Sequence, residues 1–161
     1  MEGKTYRYFR GEPLFPFGHG LSYSTFTYSN LRVPASVRAG DSVSVSVDVT
    51  NSGGRAGDEV VQLYVTELEA SAPVPIRSLQ GFRRVQLKAG ETRTVSFTLT
   101  PRQISIINAE SKRVVEPGTI EISLGGKQPG FKGIADSPTS GVITGQFKVI
   151  GVKVQIGEKQ D

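Results

Sequence analysis

Along much of the chain, apolar side chains recur at every second residue. Val43, Val45, Val47 and Val49 alternate with Ser42, Ser44, Ser46 and Asp48. A period of two is that of a strand, so the four valines share one face and the hydroxyls and carboxylate face water. Ala39-Gly40-Asp41 turns the chain into this run and Asn51-Ser52-Gly53-Gly54 turns it out. Glu59 to Glu67 predicts a second strand, with Val61, Leu63 and Val65 on one face and Val60, Gln62 and Tyr64 on the other. Apolar groups on both faces mark a central strand, or one partly covered by the N-terminal segment.

The remaining pattern is of the same kind. Phe26, Tyr28 and Leu31 place a first strand within Thr25 to Val33, and Leu79 to Leu87 reads as one strand or two. Ala89-Gly90-Glu91 repeats the Ala-Gly-acid turn, and Val95, Phe97 and Leu99 alternate after it. Pro101 to Ile107 predicts a short helical turn, with Ile104 and Ile107 three apart. Val114-Val115 and then Ile120, Ile122 and Leu124 supply strands around the Pro117-Gly118 turn. Gly125 to Gly141 reads as a loop, after which Ile143, Phe147 and Val149, then Val152, Val154 and Ile156, resume the alternation. Short strands, Gly/Pro turns and almost no helix predict an all-β, two-sheet sandwich.

The N-terminal segment breaks this order. Eight of the thirteen aromatic residues lie in it: Tyr6, Tyr8, Phe9, Phe15, Phe17, Tyr23, Phe26 and Tyr28. Pro13 and Pro16 forbid a continuous helix, and Gly11, Gly18 and Gly20 interrupt any long strand. A loop so rich in ring area must bury it somewhere, on its own domain or on a surface this chain lacks.

Length and composition narrow the function classes. At 161 residues the chain fits one domain that buries about 70% of its unfolded surface. It has no cysteine, hence no disulfide framework, and no apolar run of transmembrane length. The N-terminus lacks a signal-peptide core, which means little if the chain is the tail of a longer protein. The net charge of +4 invites a polyanion partner. The basic residues are dispersed, however, with Arg83-Arg84 the densest cluster, so no nucleic-acid partner is expected.

Candidate chemistry is sparse. Gly18-His19-Gly20-Leu21-Ser22 superficially resembles a nucleophile motif, but it is not G-x-S-x-G and no strand-to-helix elbow is predicted there. Asp58 and Glu59 form the tightest acidic pair; neighbours in a strand point to opposite faces, so they cannot flank one sugar bond as a glycosidase pair does. One histidine, no cysteine and isolated acids predict no zinc shell, and no EF-hand spacing is present. Gly125-Gly126-Lys127 lacks the flanking residues of a phosphate-binding loop. No catalytic residue, metal or cofactor is expected. Carbohydrate binding through the rings is the alternative to packing, although tryptophan is absent and no strand displays aromatics at regular spacing. Tyr6 and Tyr8 would share one face if that stretch were extended.

Several motifs also carry a resemblance. Thr5-Tyr6-Arg7-Tyr8-Phe9, Pro13 to Tyr23 and Ser29-Asn30-Leu31 are similar to the junction entering the C-terminal domain of glycoside hydrolase family 3, which holds β-glucosidases and β-xylosidases. Gly57 to Val65, Leu79-Gln80-Gly81-Phe82 and Glu116-Pro117-Gly118 follow in the family's order. The resemblance implies an immunoglobulin-like sandwich of the fibronectin type III-like kind, which fits the missing Cys…Trp…Cys signature. It implies residues 1–30 as a leader between domains, 31–157 as the sandwich with a loop insertion at about 125–141, and 158–161 as a tail. It further implies a non-catalytic domain that stabilises and positions a catalytic barrel and an α/β domain, which would hold the aspartate nucleophile and glutamate acid/base. Tyr6, Tyr8, Phe9, Phe15, Phe17, His19 and Tyr23 would then contact those domains. The parent would be a secreted or periplasmic retaining β-glycosidase. The alternative is an accessory module that binds plant cell-wall polysaccharide or lignin; neither reading involves a membrane.

Overall fold

The computed structural model describes residues 8, 9, 11, 13–131 and 138–157. The valine ladder becomes β3 (Val43–Asn51), flanked by β1 (Phe26–Arg32) and β6 (Thr92–Leu99) in one antiparallel sheet. A second, five-stranded sheet has the order β2 (Ser36–Arg38), β10 (Val142–Ile150), β9 (Gly118–Gly125), β4 (Gly57–Glu67) and β5 (Ser78–Leu87). The four valines of β3 are fully buried and meet Val61, Leu63 and Val65 of β4, Ile120, Ile122 and Leu124 of β9, and Phe147 and Val149 of β10 in one core. The all-β sandwich follows from the period-two pattern. Residues 26–30 already belong to β1, and the chain then changes sheets, since β2 runs parallel to β10.

A small third sheet joins β7 (Ile106–Ile107), β8 (Arg113–Val115) and β11 (Val154–Gln155). It shortens the expected helical turn. A 3-10 turn at Pro101–Ile104 is closed by Thr100 N donating to Gln103 Oε1 at 2.9 Å, and Ser105 is extended. Ile106 then pairs with Val114 and is buried, while Ile107 faces solvent instead of joining Ile104. Strand pairing satisfies the backbone groups of Ile106 and Ile107, which lie beyond the end of the turn.

The repeated Ala-Gly-acid sequence has one structural meaning. Asp41 N donates to Arg38 O, and Glu91 N donates to Lys88 O, both at 3.0 Å. Gly40 and Gly90 hold φ of 96° and 75°, which a turn with a left-handed third position demands.

Asp48 departs from its expected solvent-facing role. It is buried, accepting both Arg32 guanidinium nitrogens at 3.0 Å, Asn30 Nδ2 at 2.9 Å and Thr94 Oγ1 at 2.6 Å. Asn30 reaches it from a left-handed φ of 50°, within the irregularity of β1 between Ser29 and Arg32. Arg32, then Thr94 and Asn30, hold the Asp48 carboxyl well below the usual carboxylate range. Such a group stabilises the fold above the ordinary carboxylate pKa and loses that contribution as pH falls through its own depressed value.

Glu67 titrates in the opposite sense. Burial, with the Glu116 carboxylate nearby, pushes its carboxyl up to about 7. Between 4.5 and 7 the unfolded chain loses this proton first, so raising pH from 5 to 8 should cost the fold roughly 2–3 kcal/mol at this one group. Glu67→Gln should remove that fall, which urea midpoints at pH 5 and pH 8 measure directly. An unchanged pH dependence in the variant would contradict the assignment.

Candidate docking surface of the N-terminal segment

The described part of the N-terminal segment is irregular, yet it is fastened. Pro16 is buried, His19 N donates to Pro16 O at 3.0 Å, and Gly18 holds φ of 83°. Gln128 N donates to Phe17 O at 2.9 Å, and Phe17 N donates to Gln128 Oε1 at 3.4 Å. Beneath the loop lies the outer face of β4. A Cβ at Gly18 would overlap the Gln62 amide, and that amide is held in place. Gln62 Nε2 donates to Gly126 O at 3.0 Å, while Tyr64 Oη donates to Gln62 Oε1 at 2.6 Å. Arg77 donates to Pro129 O, completing the contact between β5's approach and the 126–130 loop. Gln62 and Tyr64 are consequently buried, and burial pushes the Tyr64 phenol up to about 12.

A second clasp fixes the far side of that loop. Tyr28 Oη donates to Glu59 Oε1 at 2.9 Å, and Ser140 Oγ donates to the same oxygen at 3.1 Å. Burial raises the Glu59 carboxyl and, with the Glu59 charge, pushes the Tyr28 phenol above its ordinary range. Gly126 packs so closely on Glu59 and Ser140 that it has no room for a Cβ. The clasp joins β1 of one sheet to β4 of the other through side chains 31 residues apart.

On this fastened base the rings point outward. Phe15 and Phe17 are 58% and 62% exposed, and Leu21 and Tyr23 are 93% and 96% exposed. Phe9 is also exposed and folds over Gly11, Tyr8 is half-buried, and Tyr6 lies outside the described residues. Exposure ends abruptly at Ser24, which is buried and donates from Oγ to Arg55 O at 2.6 Å; Phe26 follows into the core. Of the residues singled out from sequence, Phe15 and His19 meet, with centroids 5.0 Å apart at 49°. His19 Nδ1 is buried without a hydrogen-bond partner among the described residues. Gln62, Tyr64, Gln128 and Glu59, which position the loop, were not singled out beforehand; for Gln62 and Tyr64 the sign was the second face of β4, read as one the N-terminal segment could cover.

Asp58 and Glu59, the tightest acidic pair, sit on opposite faces of β4. Asp58 points outward, where Arg84 Nε donates to it at 2.8 Å, while its neighbour Glu59 points inward. A groove of about 740 Å³ between Leu31–Val37 and Ser42–Ser46 is lined by serines, valines, Leu31, Pro34, Phe97, Thr98 and Arg32, with no carboxylate. Among the described residues no three His, Cys, Asp or Glu side chains converge as a metal site would require. Likewise among the described residues, no helix is long and apolar enough to cross a membrane.

The sandwich architecture defines a class, and comparison with known proteins places the chain within it. Residues 59–128 match the fibronectin type III-like domain family. A β-xylosidase of Formosa agariphila is 50% identical over 121 residues, and thermostable β-glucosidase B of Acetivibrio thermocellus is 46% identical over 125. Each match covers 74% of this chain and 17% of the relative. Among solved structures, a β-glucosidase from Listeria innocua in complex with gluconolactone superposes with a TM-score of 0.77 at 32% identity, over 93% of this chain and 20% of that one. Residues 59–128 therefore carry a fibronectin type III-like domain, and the chain around them is similar to a part of β-glucosidases and β-xylosidases. The chain spans about one sixth of the length of those relatives.

Proposed function

We propose that the chain is the non-catalytic C-terminal domain of a family 3 β-glucosidase or β-xylosidase, and that its N-terminal segment seats the preceding catalytic barrel and α/β domains. The observation that carries this reading is a contrast within a few residues. The loop backbone is pinned by Gln128, Gly18 and Gln62, while Phe15, Phe17, Leu21 and Tyr23 stay exposed. Fixing apolar side chains in water has no benefit for this domain alone, whereas a rigid apolar surface lowers the entropic cost of docking a neighbour. The relatives' far greater length supports such a neighbour. Tyr8, Phe9 and His19 belong to the same proposed contact, as does Tyr6.

Catalysis in this reading resides wholly in the parent's other domains. The test replaces Phe15 and Phe17 together by alanine in the full-length enzyme. Lower thermal stability or looser association of the C-terminal domain is expected, and a neutral outcome would contradict the proposal.

A further inference from the structure

The exposed apolar surface does not stop at the N-terminal loop. We infer that the outer face of β4 and β5, centred on Phe82 with Val60 and Leu79, is the second half of the docking surface and receives an apolar face of the preceding part of the same polypeptide. The inference rests on the domain-seating role proposed above and extends it to residues that role did not name.

Register places these side chains together. Phe82 lies opposite Gln62, Leu79 opposite Tyr64 and Arg84 opposite Val60, so Phe82, Leu79 and Val60 share the outer face with the two residues the loop covers. Gly18 lies on the Gln62 amide, and Gln62 is the cross-strand neighbour of Phe82, so the face that carries Phe82 continues from the part the loop covers. Phe82 is 71% exposed, and Val60 and Leu79 are also exposed. The neighbouring residue confirms the direction: Arg83 turns to the inner side, its guanidinium 5.8 Å from the centroid of Phe97. Gly81 makes that possible, since Phe97 would lie 3.1 Å from a Cβ there.

β5 is an edge strand, where an outward phenylalanine does nothing for the fold and would invite aggregation if left uncovered. The Arg84–Asp58 ion pair closes one end of the patch, giving the apolar centre and charged rim of an interface. Continuity with the loop-covered face selects the occupant: the segment that seats on the N-terminal loop extends over Phe82. A chain about one sixth the length of its relatives leaves ample polypeptide to do so.

The experiment compares Phe82→Ser, Phe17→Ser and, as an exposed control away from the face, Val152→Ser, each in the isolated chain and in the full-length enzyme. The readout is thermal unfolding together with the rate of limited proteolysis around the N-terminal segment. Phe82→Ser should leave the isolated chain's melting point unchanged and speed cleavage of the full-length protein about tenfold, while Val152→Ser changes neither. Sensitivity to Phe17→Ser but not to Phe82→Ser would overturn the extension and leave the seating role standing; insensitivity to both would overturn both. An equal loss of stability in the isolated chain would assign Phe82 to the fold. Concentration-dependent dimerisation of the isolated chain, or its retention on insoluble xylan, abolished by Phe82→Ser would assign the face to a second copy or to polysaccharide; either would overturn the inference.

Discussion

Replacing Phe147 by alanine is expected to cost the isolated chain about 3–5 kcal/mol, while Phe17→Ala is expected to cost it less than about 0.5 kcal/mol. Phe147 is 1% exposed and lies on β10 opposite Ile120 of β9, inside the core that also holds the β3 valines. Its removal leaves a cavity that the two hydrogen-bonded sheets around it cannot close. Phe17 is the same residue type with the opposite environment, since most of its ring is already in water. Urea denaturation of both variants beside the parent chain checks the pair, and a Phe17→Ala loss comparable to that of Phe147→Ala would mean that the loop belongs to the domain's own core.

Gly126→Ala is expected to cost about 2–4 kcal/mol by overpacking a buried polar contact. The added methyl would collide with Glu59 and Ser140, and both neighbours are engaged: Ser140 Oγ and Tyr28 Oη donate to the same Glu59 oxygen. Moving either leaves a buried carboxyl short of donors. Glu59→Ala vacates the space, so the two changes should be strongly non-additive, with the double variant more stable than the sum of the singles implies. Simple additivity in a double-mutant cycle would show that Gly126 and Glu59 do not press on each other. The same substitution should loosen the N-terminal loop, because the Gly126 carbonyl holds the Gln62 amide on which Gly18 rests.

How much of this was legible beforehand follows from the range of each interaction. The Val43–Val49 alternation is a local pattern, and its burial needed only a partner sheet; so did the two-faced reading of Glu59–Glu67, whose second face the loop does cover. The paired Ala-Gly-acid turns were likewise local. The clasps were not. Asp48 looked like one more solvent-facing position in β3, and only the left-handed Asn30 and the register of β1 bring Arg32 over it. The Glu59–Ser140 contact spans 81 residues and depends on where a glycine-rich loop returns. Of the small third sheet, the strands at Val114-Val115 and around Val154 were expected, but β7 was read as part of a helical turn, because a two-residue strand carries no period. For the candidate surface, the sequence marked the rings but gave no sign of which would remain outside, a property of the β4 face beneath them.

The account stands on the rings being held in water here and covered in the larger protein. Hydroxyl-radical footprinting of Phe15, Phe17, Leu21 and Tyr23, in the isolated chain and in the full-length enzyme, tests this most directly. Rapid modification of all four is expected in the isolated chain, with strong protection, led by Phe17, in the full-length protein. Equal, rapid modification in both would contradict it.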